Sequence, residues 1–518
     1  MEDKDMELIK ENVKVNQVSC KGSAQVLVDE DIIVPDVKPD ILKILQLDAV
    51  SCITNKSVIK GKAVINGRVD LKILYIPDSE REKIKSIITS FDFTQNVDSQ
   101  KIDDAMTVVA ASNVERAEFS LINSRKLRVK VAVGVDYEVV AEQNVEIAVE
   151  ASDSDNVELL RENVQLQNCI NLSETEFTLK ESIEVPSGQS SIGELLKVDA
   201  KISDSEYKTV TDKIVVKGAV GMCVLYTDEE CKIQFMESEI PFTEVFDCSD
   251  VGDDTICDID YSIAEIRYDV TEDSDGDRRV VDLEITVAAQ IKATENVSVD
   301  MICDCYEPFM KTQLLKEEVE LEEIVSRPSA QNTLREMVEI TGGAPGVSGV
   351  YDVITRPYIT KTELQRGKLL AEGKIETYIL YLSDSAESPV YSMKKEIPFS
   401  YVLDCDSAEE DLIPEIKAEV KHTSYNLNIA GEIELRCILV LNANIIRKRK
   451  IELINDVVTT ETENDEKRGI VIYFVQKDDN LWEVAKRYAV PRDEILKFNN
   501  MSESDKLENG NRLFIPSM

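Results

Sequence analysis

One nine-residue pattern occurs three times in this 518-residue chain, and it limits the possible folds more than any other feature. Each copy begins with glycine, ends with leucine and tyrosine, and carries apolar residues at shared positions between them. The copies are GRVDLKILY at 67–75, GAVGMCVLY at 218–226 and GKIETYILY at 373–381. A short apolar run of this kind is typical of a buried strand. The spacing predicts a tandem array of one β-rich unit of about 150 residues, which is a usual domain size.

The sequence downstream of each copy repeats as well. A phenylalanine anchors each unit, and a later segment alternates apolar and polar residues. Period two with one apolar face predicts a half-buried strand of an antiparallel sheet. The anchors are Phe93, Phe242 and Phe399, and the alternating segments are Leu127–Val133, Leu283–Val287 and Ile433–Leu439.

A proline begins another shared segment upstream of each glycine. A capping residue and two apolar residues four positions apart follow it, which predicts a short capped helix. Proline and glycine are 32 residues apart in the first two copies and 45 in the third, which predicts a 13-residue insertion around TGGAPGVSG at 341–349. The prolines are Pro35, Pro186 and Pro328, and the apolar pairs are Ile41 with Leu45, Ile192 with Leu196, and Leu334 with Val338.

The tail of the chain is of another kind. From Gln476 onward seven basic residues face eight acidic ones, whereas the rest of the chain has 52 against 92. Its apolar periodicity predicts strand, helix, helix and strand in under fifty residues. The positions that carry this pattern are Val475, Leu481, Val484, Ala485, Tyr488, Ile495, Leu496 and Phe498.

The predicted fold is therefore mainly β, with three sandwich- or barrel-like repeats followed by a small βααβ domain. The predicted boundaries are 1–155, 156–306 and 307–460 for the repeats, 461–470 for a linker and 471–518 for the C-terminal domain.

The tail resembles a LysM domain. The resemblance rests on Tyr473, Val475, Asp479, Leu481, Ala485, Tyr488, Val490, Leu496, Asn499, Gly510, Leu513, Ile515 and Pro516. LysM domains bind N-acetylglucosamine polymers in a groove between the loop after the first strand and the loop after the second helix. The resemblance implies a groove formed by Gln476, Asp478, Asp479, Asn480, Leu481, Trp482, Asn499, Asn500, Met501 and Ser502.

Two residues of this groove shape our expectation of its ligand. Asp478 stands where LysM domains usually have glycine, and the loss of glycine removes close backbone approach to a sugar. We therefore expect the groove to prefer a protein over a glycan. Trp482 is the only tryptophan of the chain and lies off the apolar face of its predicted helix, so we expect it to be partly exposed and to act as an interface hot spot. The alternative is that Trp482 packs against the second helix or the linker.

The repeats resemble SPOCS domains through VPDVKPDI at 34–41 and the strands that end in leucine and tyrosine. Three such domains followed by a LysM domain are similar to the layout of clostridial spore-coat assembly proteins. The resemblance implies a non-enzymatic scaffold in the mother-cell cytoplasm, at the forespore surface. Such a scaffold would recruit the coat-basement ATPase, stage IV sporulation protein A, and other coat proteins. The alternative is a wall-associated protein that binds peptidoglycan or a chitin-like glycan through its LysM domain.

Composition favours the first of these functions. A formal charge of −41 repels nucleic acid and anionic lipid. The N-terminus has neither the basic start nor the apolar run of a signal peptide, and no apolar run is long enough to span a bilayer. Eleven scattered cysteines indicate free thiols in a reducing compartment.

No catalytic or metal-binding constellation is evident in the sequence. With His422 as its single histidine, the chain cannot build a histidine zinc site or a Ser-His-Asp triad. We expect no enzyme activity, cofactor or metal, and we interpret DSDGD at 273–277 as a hairpin turn. The stretch Ile233–Ile266 has no basic residue, so it is either a solvated face or a surface for a basic partner or a weakly bound cation.

Overall fold

The computed structural model describes residues 6–79, 82–152, 157–339, 344–383, 390–405, 412–428, 431–461, 469–503 and 505–517. These residues form 21 strands and two short helices. The first repeat contains β1 (Leu8–Ile33), β2 (Ile41–Ile59), β3 (Lys62–Pro77), β4 (Lys85–Asp98), β5 (Thr107–Asn123) and β6 (Lys126–Ala151). The second contains β7 (Glu158–Glu184), β8 (Glu194–Val210), β9 (Lys213–Thr227), β10 (Ile233–Asp247), β11 (Ile256–Glu272) and β12 (Arg278–Tyr306).

The third repeat and the C-terminal domain complete the order of elements. The third repeat contains β13 (Met310–Ser326), β14 (Ser329–Val338), β15 (Val347–Gln365), β16 (Lys368–Ser383), β17 (Val390–Asp404), β18 (Leu412–Leu427) and β19 (Ile433–Glu461). The C-terminal domain contains β20 (Gly469–Phe474), α1 (Leu481–Tyr488), α2 (Arg492–Asn499) and β21 (Arg512–Ser517). The predicted fold class, mainly β with a small βααβ domain at the end, is confirmed.

Each repeat consists of two antiparallel sheets. The sheet orders are β1-β6-β5 and β2-β3-β4 in the first repeat, and β7-β12-β11 and β8-β9-β10 in the second. In the third repeat β15-β16-β17 faces a sheet in which β19 pairs with β13, β14 and β18. Each pair of sheets encloses an apolar core of its own.

The repeated pattern of the sequence is the middle strand of the smaller sheet, and its glycine makes room for the phenylalanine anchor. Gly67 lies opposite Phe93, and Gly373 lies opposite Phe399. A Cβ atom on Gly67 would lie 2.2 Å from the Phe93 ring, and one on Gly373 would lie 2.4 Å from the Phe399 ring. The ring therefore covers the glycine backbone, which fixes the register of the two strands.

The tyrosine at the end of the pattern ties the middle strand to the turn that precedes the smaller sheet. Tyr75, Tyr226 and Tyr381 are fully buried. Their hydroxyls donate to the carbonyl oxygens of Pro39 (3.0 Å), Ser190 (3.1 Å) and Pro345 (3.2 Å). A buried hydroxyl needs such a partner, which explains why tyrosine rather than phenylalanine ends each copy.

These hydrogen bonds correct the predicted insertion in the third repeat. The accepting residue precedes the glycine by 28 residues in all three copies. Counted from these accepting residues, the third repeat has no 13-residue insertion, because Pro328 is not the counterpart of Pro35. It lies between β13 and β14, which both pair with β19 and together take the place that β1 takes beside β6. Residues 341–343 of the predicted loop lie outside the described residues, and Val347 already begins β15.

The predicted capped helix after each proline is wrong. Ile41 begins strand β2, Ile192 lies in an extended segment that leads into β8, and Leu334 lies within β14. The helix-like spacing has a physical origin in β2. At the start of β2 the pairing with β3 shifts twice, between Ile41 and Lys43 and again between Ile44 and Gln46. Each bulge adds a residue, so apolar positions recur at three and four instead of two.

The three repeats pack around one common axis. Equivalent residues from all three copies meet in shared apolar clusters, which is possible only if the copies surround an axis. We call the first of these the axial cluster; it contains Leu45, Leu74, Leu196, Leu225, Tyr351 and Leu380. A second contains Val15, Val145, Leu166, Val299, Leu321 and Ile451, and a third contains Ala148, Ala151, Ile302, Cys305, Ile454 and Val457.

Candidate functional site

The C-terminal domain is built on a two-stranded antiparallel sheet with two helices packed on one face. Strand β20 pairs with β21 from Gly469–Ser517 to Phe474–Arg512. The face toward the helices is apolar, and the helices contribute their own buried residues. The buried core contains Val475, Val484, Ala485, Val490, Ile495, Leu513 and Ile515.

The first predicted loop is held by its own side chains. The Asp479 carboxylate accepts hydrogen bonds from the Tyr473 hydroxyl (2.6 Å) and from the exposed Gln476 backbone N–H (2.7 Å). The Tyr473 hydroxyl is the main cause that lowers the pKa of Asp479, and the Gln476 N–H adds to it. Asn480 caps α1 by accepting from the Glu483 N–H at 2.8 Å. Asp478 has a φ of 69°, in the left-handed region that glycine adopts without strain.

The side chains of the second predicted loop form hydrogen bonds within the C-terminal domain. The Asn499 amide donates to the carbonyls of Ile495 and Phe514 and accepts from the Phe514 N–H, all at 2.7 Å. Asn499 therefore joins the end of α2 to β21 and has few hydrogen-bonding groups left for a ligand. Asn500 ends α2 in the left-handed conformation. Ser502 bonds to the Asp505 carboxylate.

The two loops share an apolar base. Leu481 and Met501 are both partly buried, and both pack against the core of the domain. The structure thus places residues of the two predicted loops in one cluster. The remaining predicted groove residues, Gln476, Asp478, Asn480, Asn500 and Ser502, are exposed. The assignment of these residues to ligand binding stays a prediction.

The expected exposure of Trp482 is wrong. Its side chain is only 8% exposed because it packs edge-on against Tyr306 at the end of β12, with ring centroids 5.2 Å apart. Its indole N–H donates to the Asp304 carboxylate at 2.7 Å. The face of α1 that carries Trp482 was expected to meet an external partner, but it is already covered by the second repeat. No local sequence pattern could show this contact, because Tyr306 lies 176 residues away.

Further polar contacts fix the C-terminal domain on the second repeat. Lys486 also pairs with Asp304, and the Arg492 guanidinium bonds to Glu158 at 3.1 Å. The turn between the helices adds two contacts with the second repeat and the short connection that follows it. These are Tyr306 Oη to the Val490 carbonyl (2.9 Å) and Phe309 N–H to the Ala489 carbonyl (2.7 Å). We call these contacts together with Trp482 the dock. They combine apolar burial with directional bonds, so the domain has one orientation on the array.

The opposite face of the C-terminal sheet is apolar and exposed, and it was not among the predicted binding surfaces. Ile470, Ile472 and Phe474 alternate along β20, and Phe514 lies directly opposite Ile472. All four are exposed, Ile470 by 57% and Phe474 by 55%. We call these four residues the outer face. The sequence GIVIYF at 469–474 indicates this exposed face, because it is apolar at consecutive positions and therefore on both faces of the strand. The two helices cover only one face of the two-stranded sheet.

Basic residues lie next to the outer face. Arg512 lies opposite Phe474 in the strand register, and Lys477 is the third residue after β20. Both side chains are exposed, and within the described part of the chain neither forms an ion pair. Exposed apolar residues beside free cations are typical of a surface that accepts a protein with an acidic rim.

A polar cavity of about 850 Å³ lies between the repeats, beside the second shared cluster. Its charged residues are largely paired across repeats. Lys21 contacts Glu138 (2.5 Å) and Glu415, Lys448 contacts Glu322 (2.9 Å), and Lys417 contacts Asp260. Such pairing stabilises the walls and leaves little charge for a ligand.

The remaining chemical candidates lie on the repeats. His422 is on β18, and the turn at 273–277 is closed by the Asp273 carboxylate, which accepts from the N–H groups of Asp275 and Asp277. Among the described residues, no three His, Cys, Asp or Glu side chains are grouped so that they could hold a metal ion. Neither of the two helices in the described part of the chain is long and apolar enough to cross a membrane.

Fold and site together define a class of protein, an array of three β-rich repeats that carries a small βααβ domain. Comparison with protein families makes the class specific. The model of the SipL SPOCS domain matches residues 40–122, 191–271 and 347–428, and the model of the LysM domain matches residues 473–516. The chain therefore carries three SPOCS domains of the SipL type followed by one LysM domain, which confirms the predicted layout. None of the curated proteins and none of the solved structures matches the chain.

Proposed function

We propose that the protein is a non-enzymatic adaptor of spore-envelope assembly. In this proposal the SPOCS array forms a rigid body, and the LysM domain presents a binding surface that recruits the coat-basement ATPase, stage IV sporulation protein A, and other coat proteins. The protein would act in the mother-cell cytoplasm, at the forespore surface. The SPOCS and LysM domains of the chain support a role in sporulation, as an adaptor or a wall-binding protein.

One observation carries the preference for an adaptor. The dock fixes the LysM domain in a single orientation and leaves the outer face open, so an apolar surface is held away from the array. A protein partner can cover such a face, whereas a hydrophilic glycan gains little from it. The Asn499 amide already forms hydrogen bonds within the domain, and Asp478 places a carboxylate at the first loop. Both features also favour a protein partner over a glycan.

The proposal is tested with full-length protein and its outer-face variant Phe474→Asp. Phe474 is not part of the buried core, so the variant should remain folded. A buried aromatic contact at an interface is worth roughly 2 kcal/mol, so recovery of the ATPase from sporulating cells should fall about thirtyfold. Val402→Asp is the matched control, because Val402 is equally exposed but lies on β17 of the third repeat.

The glycan alternative is measured with the same proteins. Full-length protein is mixed with insoluble peptidoglycan and sedimented. Under the adaptor proposal little protein sediments, and Phe474→Asp changes nothing in this assay. Strong sedimentation of the wild type, together with unchanged recovery of the ATPase by Phe474→Asp, contradicts the proposal and supports a wall-binding protein.

A further inference from the structure

Three equivalent positions next to the axial cluster carry three different polar residues. Gln46, Lys197 and Asp352 lie opposite the equivalent leucines of the three middle strands, Leu74, Leu225 and Leu380. Each follows a residue of the axial cluster directly, so the three side chains lie at the place where the repeats meet. Identical repeats would put three identical residues here.

Lys197 is buried among carboxylates from all three repeats. Its side chain is 2% exposed, and its Nζ lies 3.2 Å from Asp48, 2.6 Å from Asp199 and 2.7 Å from Asp352. Burial alone would disfavour its charge, yet Asp199, Asp352 and Asp48 together raise the pKa of Lys197 well above its ordinary value. The ammonium is therefore charged and held by one carboxylate from each repeat.

Two further cations complete a ring. Lys72 of the first repeat contacts Asp199 of the second at 2.5 Å. Lys197 of the second contacts Asp352 of the third, and Arg356 of the third contacts Asp48 of the first at 3.0 Å. Each repeat thus contributes one cation and one carboxylate, and each cation reaches the carboxylate of the next repeat around the axis. We call these six residues the ion ring.

The cations of the ion ring come from different positions of the repeat. Lys72 lies on a middle strand five residues after the glycine, whereas Lys197 and Arg356 lie on edge strands. The position equivalent to Lys72 is Cys223 in the second repeat and Tyr378 in the third. A second copy of the same repeat could therefore not replace its neighbour without leaving buried charges unpaired, which is strongly unfavourable.

We propose that the ion ring is the recognition surface by which the repeats select one another: it admits one copy of each repeat in the order first, second, third, and it closes the array within a single chain. The partner that fits the axial face of each repeat is the next repeat of the same chain. Two third repeats would place Asp352 against Asp352, and the like charges would repel each other.

The test uses the full-length chain with Lys197→Asp, and with the swap Lys197→Asp combined with Asp352→Lys. Positions 197 and 352 are equivalent, so the swap returns an ammonium to the axis beside Asp199 and Asp48. Lys197→Asp should lower the midpoint of thermal unfolding by about 4 °C, since it breaks a buried ion pair in a large cooperative unit. The swap should recover at least half of that loss. Lys213→Asp is the control, because Lys213 is exposed and pairs only within its own repeat.

Molar mass by light scattering is the second readout. Wild type and swap should be monomers, whereas Lys197→Asp should associate as protein concentration rises because its axial cluster is no longer closed. If Lys197→Asp does not fold, the proposal is tested by comparing the midpoint of thermal unfolding and the molar mass of the swap with those of wild type. A swap that is no more stable than Lys197→Asp, or a Lys197→Asp variant that is monomeric and as stable as wild type, overturns the proposal.

Discussion

At the scale of single residues, the repeated pattern is explained by specific contacts between side chains and backbone rather than by strand propensity. Glycine in a strand interior is unfavourable by itself, and it is retained where another group needs the space. At Gly67 that group is the Phe93 ring, with the Cys52 carbonyl 2.7 Å from the Cβ position. Glycine and phenylalanine therefore act as a pair, which explains why both recur in the repeats.

Gly67→Ala should lower the free energy of unfolding by about 2 kcal/mol, because the added methyl group forces the Phe93 ring and the neighbouring strand apart. Denaturant unfolding measures this loss. Gly221→Ala is the matched control on the equivalent strand of the second repeat, where the nearest atom to an added Cβ is 3.7 Å away. Equal losses for the two variants would show that strand glycines matter for another reason.

The first loop of the LysM domain should depend on pH through Asp479. The Tyr473 hydroxyl bond, with help from the Gln476 N–H, lowers the pKa of Asp479 below its ordinary value of 3.8. A carboxyl group with a lowered pKa in the folded state stabilises the loop above its unfolded pKa, and this contribution is lost as pH falls through the folded value. Loop order should thus be constant above pH 3.8 and decline below it.

Hydrogen exchange of the segment 473–480, corrected for the intrinsic rate at each pH, measures that decline. Asp479→Asn should show reduced protection above pH 3.8 and lose the pH dependence. The second helix, Arg492–Asn499, should keep its protection over the same range and serves as the internal reference. Identical pH profiles for wild type and variant would contradict the assignment to Asp479.

At the scale of elements, one residue of β12 bonds two side chains of the LysM domain. Asp304 bonds both Trp482 and Lys486, while its counterpart Asp456 on β19 has no LysM domain beside it. Both aspartates make the same local bond to the next backbone N–H, at 3.0 and 2.9 Å. The two positions therefore share their local structure and differ only in the contact with the dock.

Asp304→Ala should release the dock while the repeats remain folded. Trp482 is the only tryptophan, so its fluorescence reports this contact directly. We expect emission to shift to longer wavelength and quenching by iodide to increase, because the indole becomes accessible to water. Asp456→Ala, which loses only the local bond, should leave the emission unchanged. An unshifted spectrum in Asp304→Ala would mean that apolar packing on Tyr306 alone holds the domain.

At the scale of the whole molecule, each repeat has a separate core and also shares apolar clusters with the other two repeats. Each has its own core, yet each also contributes to the clusters around the axis. An isolated repeat keeps the first kind of burial and loses the second. Independent folding of each repeat stays a prediction. Because of the shared clusters, we also expect an isolated repeat to expose apolar faces to water.

Residues 156–306 alone should give a β-type circular dichroism spectrum and a cooperative thermal transition, but they should self-associate. The reason is the exposure of Leu166 and Met301, which belong to the second shared cluster and not to the core of the repeat or to the axial face. The fragment with Leu166→Lys and Met301→Lys should be monomeric and equally folded. A disordered fragment, or a wild-type fragment that is monomeric at high concentration, would contradict this expectation.

Features that depend on local spacing could be predicted from the sequence. Alternation predicted the strands of the larger sheet, recurrence predicted three copies of one unit, and the 3.6-residue period predicted the two helices of the LysM domain, because both periodicities arise from the backbone of a single element. Local spacing misled where the backbone is irregular. The bulges of β2 imitated a helix, and Pro328, which lies between β13 and β14, was taken for the counterpart of Pro35.

Contacts between residues far apart in the chain depend on tertiary packing and could not be predicted from the sequence. Trp482 is buried because Tyr306 and Asp304 lie at the end of a strand that the tail reaches after the whole third repeat. Lys72, Lys197 and Arg356 form one ring although more than a hundred residues separate each from the next. Burial and pairing of these side chains are properties of packing around the axis. A periodicity of two or of 3.6 residues does not contain that information.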